Sequence, residues 1–264
     1  MSWVETESLS FVARHESDDT ESAQRTLDAL EDLRLRLEEL FDEVPGGVTV
    51  IVHPTPAWLA AAHPFLPAAR LAAAPAGRRY LAGWAMESEL HVLNDESLEG
   101  RAAGADSLAA LRGTAERLYA QIVLGANNER LPPPWRIRGF ARYLRWAWLI
   151  EGGAQYFAGQ APVFRAAVAT RMRERRPPSF PPSARDAMIM GGTIFELLEH
   201  ERGRDACQVL VSRLRRSGVR ASIELAFGTP AGKVERTWRE YLRQLPSRRL
   251  GDEWDEELSD DLVF

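Results

Sequence analysis

From Leu111 to Gln160 the chain reads LRGTAERLYAQIVLGANNERLPPPWRIRGFARYLRWAWLIEGGAQYFAGQ. The first part has apolar residues at Leu111, Leu118 and Ile122, a spacing that places them on one face of a helix. Three prolines at 132–134 interrupt the pattern, and the segment that follows them is dense in aromatic residues. The stretch therefore predicts two buried helical segments joined by a turn.

Each of these two segments contains a short motif. The first holds Ala115-Glu116-Arg117-Leu118-Tyr119, and the second ends in Trp148-Leu149-Ile150-Glu151-Gly152-Gly153-Ala154-Gln155-Tyr156. Their layout resembles the active-site helices of zinc metallopeptidases of the gluzincin type. In that group one helix carries H-E-x-x-H and a later helix carries W-x-x-E-G-x-A-x-Y. The interval from Glu116 to Glu151 leaves room for a helix, a turn and a second, antiparallel helix.

Three other segments strengthen the resemblance, because bacterial peptidase-MA-like domains carry similar segments in the same order. They are Gly83-Trp84-Ala85, Gly191-Gly192-Thr193-Ile194-Phe195 and Trp238-Arg239-Glu240-Tyr241-Leu242. The resemblance covers about residues 3–245. It implies a zincin-like fold of the α+β class, predominantly helical, with a small N-terminal sheet and a helical C-terminal lobe that closes a cleft.

Both zinc-binding histidines of the family motif are missing, because Ala115 and Tyr119 stand in their positions. An alanine side chain has no donor atom, and a phenol with an ordinary pKa near ~10 is a poor zinc ligand at neutral pH. The resemblance makes Glu116 the remnant general base and Glu151 the remnant third ligand. Two carboxylates fall short of the three protein ligands of a catalytic zinc. We therefore expect no cofactor, and zinc only with an unusual ligand set.

The position of the third ligand has two candidates. The segment Trp135-Arg136-Ile137-Arg138-Gly139-Phe140-Ala141-Arg142-Tyr143 also fits the second family motif, with Arg138 in place of the glutamate. We prefer Glu151 because only it retains the acid. The remnant cleft that the resemblance implies is then formed by Ala115, Glu116, Tyr119, Glu151 and Tyr156.

These positions predict a catalytically inactive, metallopeptidase-like protein that binds a peptide or protein partner through the remnant cleft. One alternative is a metal-dependent hydrolase that uses Glu116 and Glu151 with an unusual ligand set. A simpler interpretation of the two acids is that neighbouring arginines hold each of them in a structural ion pair. The candidate arginines are Arg112, Arg117 and Arg145.

Charge is distributed unevenly along the chain, although the net charge is only -5. Residues 161–249 contain 18 basic and 9 acidic residues, whereas residues 250–264 contain 7 acidic residues and no basic one. The basic region suggests a further alternative, a binding module for an anionic partner. Trp254, Leu258 and Leu262 are four residues apart, so the acidic tail could also form a helix that docks on a partner or on the basic region.

The N-terminal part alternates between strand and helix patterns. We predict a strand at residues 3–14 with Leu9 on its apolar side, a helix at 23–41, a strand at 48–53, one or two strands within 80–94, and a helix at 107–124. Helical patterns then cover residues 137–160, 164–176, 187–201, 205–216, 221–227 and 234–245.

The predicted organisation has three parts. An N-terminal α+β lobe covers residues 1–125 and includes the degenerate active-site helix. A helical lobe covers residues 126–249, and an acidic tail that we expect to be mobile covers residues 250–264.

Composition limits the setting of the protein. The chain has one cysteine, Cys207, no apolar run long enough to span a membrane, and no signal-peptide pattern at its N-terminus. We expect a cytoplasmic protein with no membrane contact and no nucleic-acid partner. The five histidines do not form an H-x-x-x-H pair; they are His15, His53, His63, His91 and His200.

Overall fold

The computed structural model describes residues 2–63, 66–128, 130–131, 140–215 and 218–245. The second third-ligand candidate, Arg138, and the acidic tail lie outside these ranges. The protein belongs to the α+β class, with 63% of its residues in helices and a small mixed sheet near the N-terminus. This confirms the predicted class.

The sheet has five strands in the described residues: β1 (Trp3–Glu7), β2 (Phe11–Glu16), β3 (Val48–His53), β4 (Gly83–Ala85) and β5 (Glu89–Leu93). Their order is β1-β2-β3-β5-β4. The inner pairs β2–β3 and β3–β5 are parallel, and the outer pairs β1–β2 and β4–β5 are antiparallel. Parallel strands need a crossover connection, and the helical segments between these strands supply it.

The prediction of one continuous strand at residues 3–14 was wrong, because the chain reverses there into a hairpin. The backbone N–H of Ser8 donates to the carbonyl oxygen of Phe11 at 2.9 Å. The carboxylate of Glu31 fixes the turn by accepting a hydrogen bond of 2.7 Å from the Ser8 hydroxyl. Leu9 lies at the tip of this turn and is 98% exposed, so it does not belong to the apolar side.

Helices make up most of the rest of the N-terminal half. They are α1 (Thr20–Glu38), α2 (Pro56–Ala62), α3 (Leu66–Ala72), α4 (Asp95–Glu99), α5 (Ala105–Arg112) and α6 (Thr114–Ala126). The helix predicted at 107–124 is divided at Gly113, whose carbonyl oxygen accepts a hydrogen bond from the side-chain amide of Gln160. A Cβ atom on Gly113 would overlap that amide, so a larger residue at the break would displace the Gln160 side chain.

The two faces of the sheet are covered differently. One face packs on α1 and α6, where Phe11 of β2 meets the ring of Tyr119 edge to face at 4.9 Å between centroids. On the opposite face, strand register places Trp84 beside His91, whose partner on β3 is Ile51. His53 lies two residues beyond Ile51 and therefore on the same face as His91. The helix α2 lies over that face.

The C-terminal half consists of α7 (Phe140–Phe157), α8 (Arg165–Met172), α9 (Ala187–Arg202), α10 (Arg204–Ser212), α11 (Val219–Phe227) and α12 (Ala231–Gln244). Each lies close to a predicted helix. Among the described residues, no helix combines the length and the apolar character needed to cross a membrane. The helices α6 and α7 pack on each other across residue 125, and the predicted division into lobes at that point stays a prediction.

The helices α7 and α9 cross with their backbones in contact. A Cβ atom on Gly191 would lie 2.7 Å from the backbone nitrogen of Gly152 and 2.7 Å from the carbonyl oxygen of Trp148. Next to the crossing, the side-chain oxygen of Gln155 accepts a hydrogen bond of 3.1 Å from the N–H of Gly192. The glycines that follow Glu151 and open α9 therefore have a packing role.

The helix α12 is tied to α9 by two polar contacts inside the core. The indole N–H of Trp238 donates to the hydroxyl of Thr193 at 2.8 Å, and the hydroxyl of Tyr241 donates to the carboxylate of Glu196 at 2.8 Å. Trp238 is completely buried. Two of the segments on which the family resemblance rests are thus neighbours in space.

We expect Gly191→Ala to lower the free energy of unfolding by about 3 kcal/mol, because the new methyl group meets fixed backbone rather than a movable side chain. Gly125→Ala in α6 is the control, since no atom lies within 4 Å of a Cβ at that position. Alanine there should stabilise the helix by about 0.5–1 kcal/mol. Urea unfolding of both variants measures this, and equal stability of the two would contradict the close crossing.

Candidate functional site

Glu151 of α7 lies in a closed polar network. Its Oε2 accepts hydrogen bonds from the guanidinium of Arg117 at 3.1 Å and from the amide of Gln121 at 3.0 Å. Its Oε1 accepts one of 2.8 Å from the hydroxyl of Tyr143. The glutamate is only 4% exposed. A buried ion pair with Arg117, the simpler of the two interpretations, is therefore what the structure has at Glu151.

This network places Glu151 on the far side of α6 from Ala115 and Tyr119, the residues that align with the histidines of the family motif. Arg117 and Gln121, which hold Glu151, are one helical turn apart on one side of α6. Ala115 and Tyr119 are also one turn apart, but an α-helix rotates by about 100° per residue, so they lie about 200° away from the first pair. The structure does not bring the three ligand positions together.

Tyr119 and Ala115 take part in the core. The hydroxyl of Tyr119 donates to the carbonyl oxygen of Pro45 at 2.7 Å, and its side chain is completely buried. Burial raises the pKa of Tyr119 to about 12, so the phenol stays protonated and is not a ready metal ligand. Ala115 is 2% exposed.

The side chain of Glu116 lies near the charges of Arg36 and Arg117. Its side chain is half-buried, and burial raises the pKa of its carboxyl group, an effect that the charges of Arg36 and Arg117 partly offset. Within the described ranges no hydrogen bond joins Glu116 to Glu151. The two glutamates therefore do not share a proton as an acid pair would.

Tyr156 lies near the C-terminal end of α7, among side chains of α9 and α10. Its ring stacks on Phe195 with 5.6 Å between centroids. Burial raises the pKa of its hydroxyl well above the usual range, and it raises the pKa of the neighbouring Cys207 thiol to about 12. Tyr156 therefore packs in the C-terminal core.

Three histidines that the sequence did not single out as a group lie together beneath α2. His53 ends β3, His91 lies in β5, and His63 follows α2. Nε2 of His53 and Nδ1 of His91 are 3.0 Å apart. The ring of His63 meets that of His91 with 4.1 Å between centroids and stacks on Trp84 at 5.6 Å. All three are buried. The register of β3 and β5 would have predicted the contact between His53 and His91, but strand register cannot be determined from this sequence alone.

Burial makes this histidine cluster (His53, His63 and His91) a set of neutral imidazoles. Burial, together with the positive charge of a neighbouring imidazole, lowers the pKa values of His53 and His63 to about 4. The pKa of His91 is also lowered by burial, although the nearby carboxylate of Glu89 acts in the opposite direction. In the part of the chain that the structure describes, no three His, Cys, Asp or Glu side chains are arranged to hold a metal ion.

The histidine cluster should make the fold sensitive to acid. A histidine in the unfolded chain titrates near ~6.5, so between this pH and about 4 the unfolded state binds more protons than the folded state. The free energy of unfolding should therefore fall as the pH is lowered through this window. The loss at pH 5 is at most about 2 kcal/mol for each of His53 and His63.

Urea unfolding between pH 7 and pH 4 measures this loss. His63→Phe keeps a ring against Trp84 but removes one titrating group, so its stability should depend less on pH than that of the native chain. An identical pH dependence in both proteins would show that His63 does not contribute.

Removing one partner of the buried ion pair should be costly. We expect Arg117→Met to lower the free energy of unfolding by about 3–5 kcal/mol, because Glu151 is left charged and without its cation. Adding Glu151→Leu to that variant should recover part of the loss, since no buried charge then remains. Unfolding of the two single variants and the double variant gives the coupling, and additive effects would argue against the pair.

Comparison with known proteins adds no relative from which a role could be carried over. No protein-family model matches the chain, and no curated protein and no solved structure is significantly similar to it. The resemblance to gluzincin-type metallopeptidases therefore stays a prediction from sequence motifs, and the function has to be argued from the residues themselves.

Proposed function

We propose that this protein is a catalytically inactive relative of zinc metallopeptidases of the gluzincin type, and that it binds a peptide or protein partner. The observation that carries the proposal is the state of Glu151. Both of its carboxylate oxygens accept hydrogen bonds, from Arg117, Gln121 and Tyr143. A carboxylate with both oxygens occupied, one of them by a buried guanidinium, is not free to bind a cation unless that ion pair is broken at a cost of several kcal/mol.

The positions of the two missing histidines support the same conclusion. Tyr119 uses its hydroxyl to bind the Pro45 carbonyl, and Ala115 is closed in by its neighbours. A metal ion at this face would need donors that neither residue provides. Of the candidate residues on α6, only Glu116 is partly accessible. A partner that approached α6 would therefore contact Glu116 and not Ala115 or Tyr119.

A metal-dependent hydrolase using Glu116 and Glu151 is less well supported. It would require Glu151 to leave Arg117 and turn around α6 toward Glu116. The loss of the buried ion pair alone would cost several kcal/mol.

As to location, we propose the cytoplasm, on the basis of a single cysteine, Cys207, which lies buried and free.

Metal content and hydrolysis test the proposal directly. Protein purified without chelator should contain far less than one zinc ion per chain, and EDTA should leave its Tm unchanged, because no preformed ligand set stabilises a metal. Near-stoichiometric zinc in the native chain, together with hydrolysis of peptides that is lost in Glu116→Gln, would overturn the proposal.

A second experiment introduces the two histidines of the family motif. Ala115→His/Tyr119→His recreates H-E-x-x-H around Glu116, yet it should gain at most weak zinc binding, because Glu151 lies on the other side of α6. Titration with Zn²⁺ followed by calorimetry measures this. Tight binding by the double variant would show that the scaffold still presents a third ligand.

A further inference from the structure

A cavity of about 860 Å³ lies away from α6 positions 115–119, between the C-terminal ends of several helices. The end of α6 contributes Asn127 and Asn128, and the end of α9 contributes Arg202. One wall comes from α10 with Val209, and another from α11 with Leu225.

Four arginines line this cavity: Arg130, Arg202, Arg213 and Arg215. All four are exposed, and none forms an ion pair with another described residue. Arg130 donates to the carbonyl oxygen of Leu214, which uses one of the five N–H groups of its guanidinium. None of the described lining residues is acidic, so the cavity concentrates positive charge.

The negative partial charges at the C-terminal ends of the helices do not neutralise these arginines. Asn127, Arg202 and Arg213 mark the C-terminal ends of α6, α9 and α10, and each helix end carries about half a negative charge. The last turn of α11, with Leu225 and Ala226, adds a fourth helix end. Four full positive charges exceed four half charges. The cavity therefore retains a net attraction for an anion.

The walls also present apolar surface. Val209 is 38% exposed and Leu225 is 43% exposed, and both face the cavity together with Ala206 and Ala226. A small inorganic anion would leave these side chains in water. A ligand with several carboxylates and at least one aliphatic or aromatic side chain would satisfy the arginines and cover the apolar wall.

The chain carries such a segment in its acidic tail, residues 250–264. These residues contain seven acidic side chains and no basic one, with Trp254, Leu258 and Leu262 four residues apart. The preceding helix, α12, packs on α9 and α11, which line the cavity. The helix α12 begins just after the end of α11 that lines the cavity, and its 14 residues carry the chain about 21 Å from that point. The nine residues from Leu245 to Trp254 span up to ~30 Å, which is enough to return along this length.

We propose that the arginine-lined cavity is a binding site for an acidic peptide segment with apolar side chains, and that its occupant is the chain's own residues 250–264. The carboxylates pair with Arg130, Arg202, Arg213 and Arg215, and the apolar side chains cover Val209 and Leu225. This inference is independent of the proposed function, because it uses none of the residues that resemble a metallopeptidase site.

A fluorescent label on the tail of the full chain tests the inference. Ser259→Cys adds a reactive thiol, whereas Cys207 is buried with its pKa raised to about 12 and stays unlabelled. The anisotropy of the label should be high in this parent chain. It should fall about twofold in Arg213→Glu/Arg215→Glu, because a released tail moves within nanoseconds. Salt at 1 M should lower it as well.

The control variant reverses the charge of two arginines at a site distant from the cavity. Arg173 and Arg175 are exposed and lie just beyond α8, close to the N-terminal end of α9, where Arg171 pairs with Asp186 at 2.6 Å. The cavity is at the other end of α9, about 24 Å away along a helix of 16 residues. Arg173→Glu/Arg175→Glu should therefore leave the anisotropy unchanged.

A second variant avoids any effect on the folded part of the chain. Leu258→Ser, made in the labelled chain, should release the tail while the arginines remain. Low anisotropy in the parent chain, or anisotropy that neither Arg213→Glu/Arg215→Glu nor Leu258→Ser lowers, would overturn the proposal. So would anisotropy that rises with protein concentration together with a dimer mass, because a second copy would then supply the segment.

Discussion

The contact between the backbones of α7 and α9 at Gly152 and Gly191 constrains the C-terminal half of this protein. It brings the two helices close enough for Gln155 to bond the backbone of α9 directly. It also sets the rotation of α7, so that Glu151, one residue from the contact, points toward α6. On α9, Thr193 is placed to receive the indole N–H of Trp238. The absence of a side chain at Gly152 and at Gly191 thus sets the directions in which Glu151, Gln155 and Thr193 point.

This constraint gives the motif residues a physical explanation that needs no catalysis. The glycines after Glu151 and at the start of α9 permit the crossing, and Glu151 completes an ion pair with Arg117. A sequence motif records which residues are retained, but not whether chemistry or packing retains them. Here the packing explanation accounts for Glu151, Gly152 and Gly191 together, and Ala115 and Tyr119 are likewise residues of the core.

Local periodicity was sufficient to predict α1 and β3, because their apolar spacing and their Gly and Pro boundaries are unambiguous. The hairpin at β1 and β2 was missed because Glu31, a residue of α1, fixes its turn. The break at Gly113 likewise depends on Gln160, a side chain distant in sequence. The same limit applies to the candidate site: motif spacing identified Glu116 and Glu151 as acids, but the side of α6 that each one faces depends on how α7 is rotated, and the histidine cluster depends on strand register.

The position of β1 at the edge of the sheet has a consequence for the behaviour of many copies of the chain. An edge strand leaves backbone groups without partners, and a strand from a neighbouring molecule can add to it. Here β1 exposes Trp3 and Val4 next to Glu5 and Glu7. Glu5 is paired with Arg14 across the hairpin at 2.8 Å, so Glu7 is the carboxylate that repels the same strand of a second molecule and limits growth of the sheet from one molecule into the next. Protection of the sheet edge then rests on a single charge that contributes little to the fold itself.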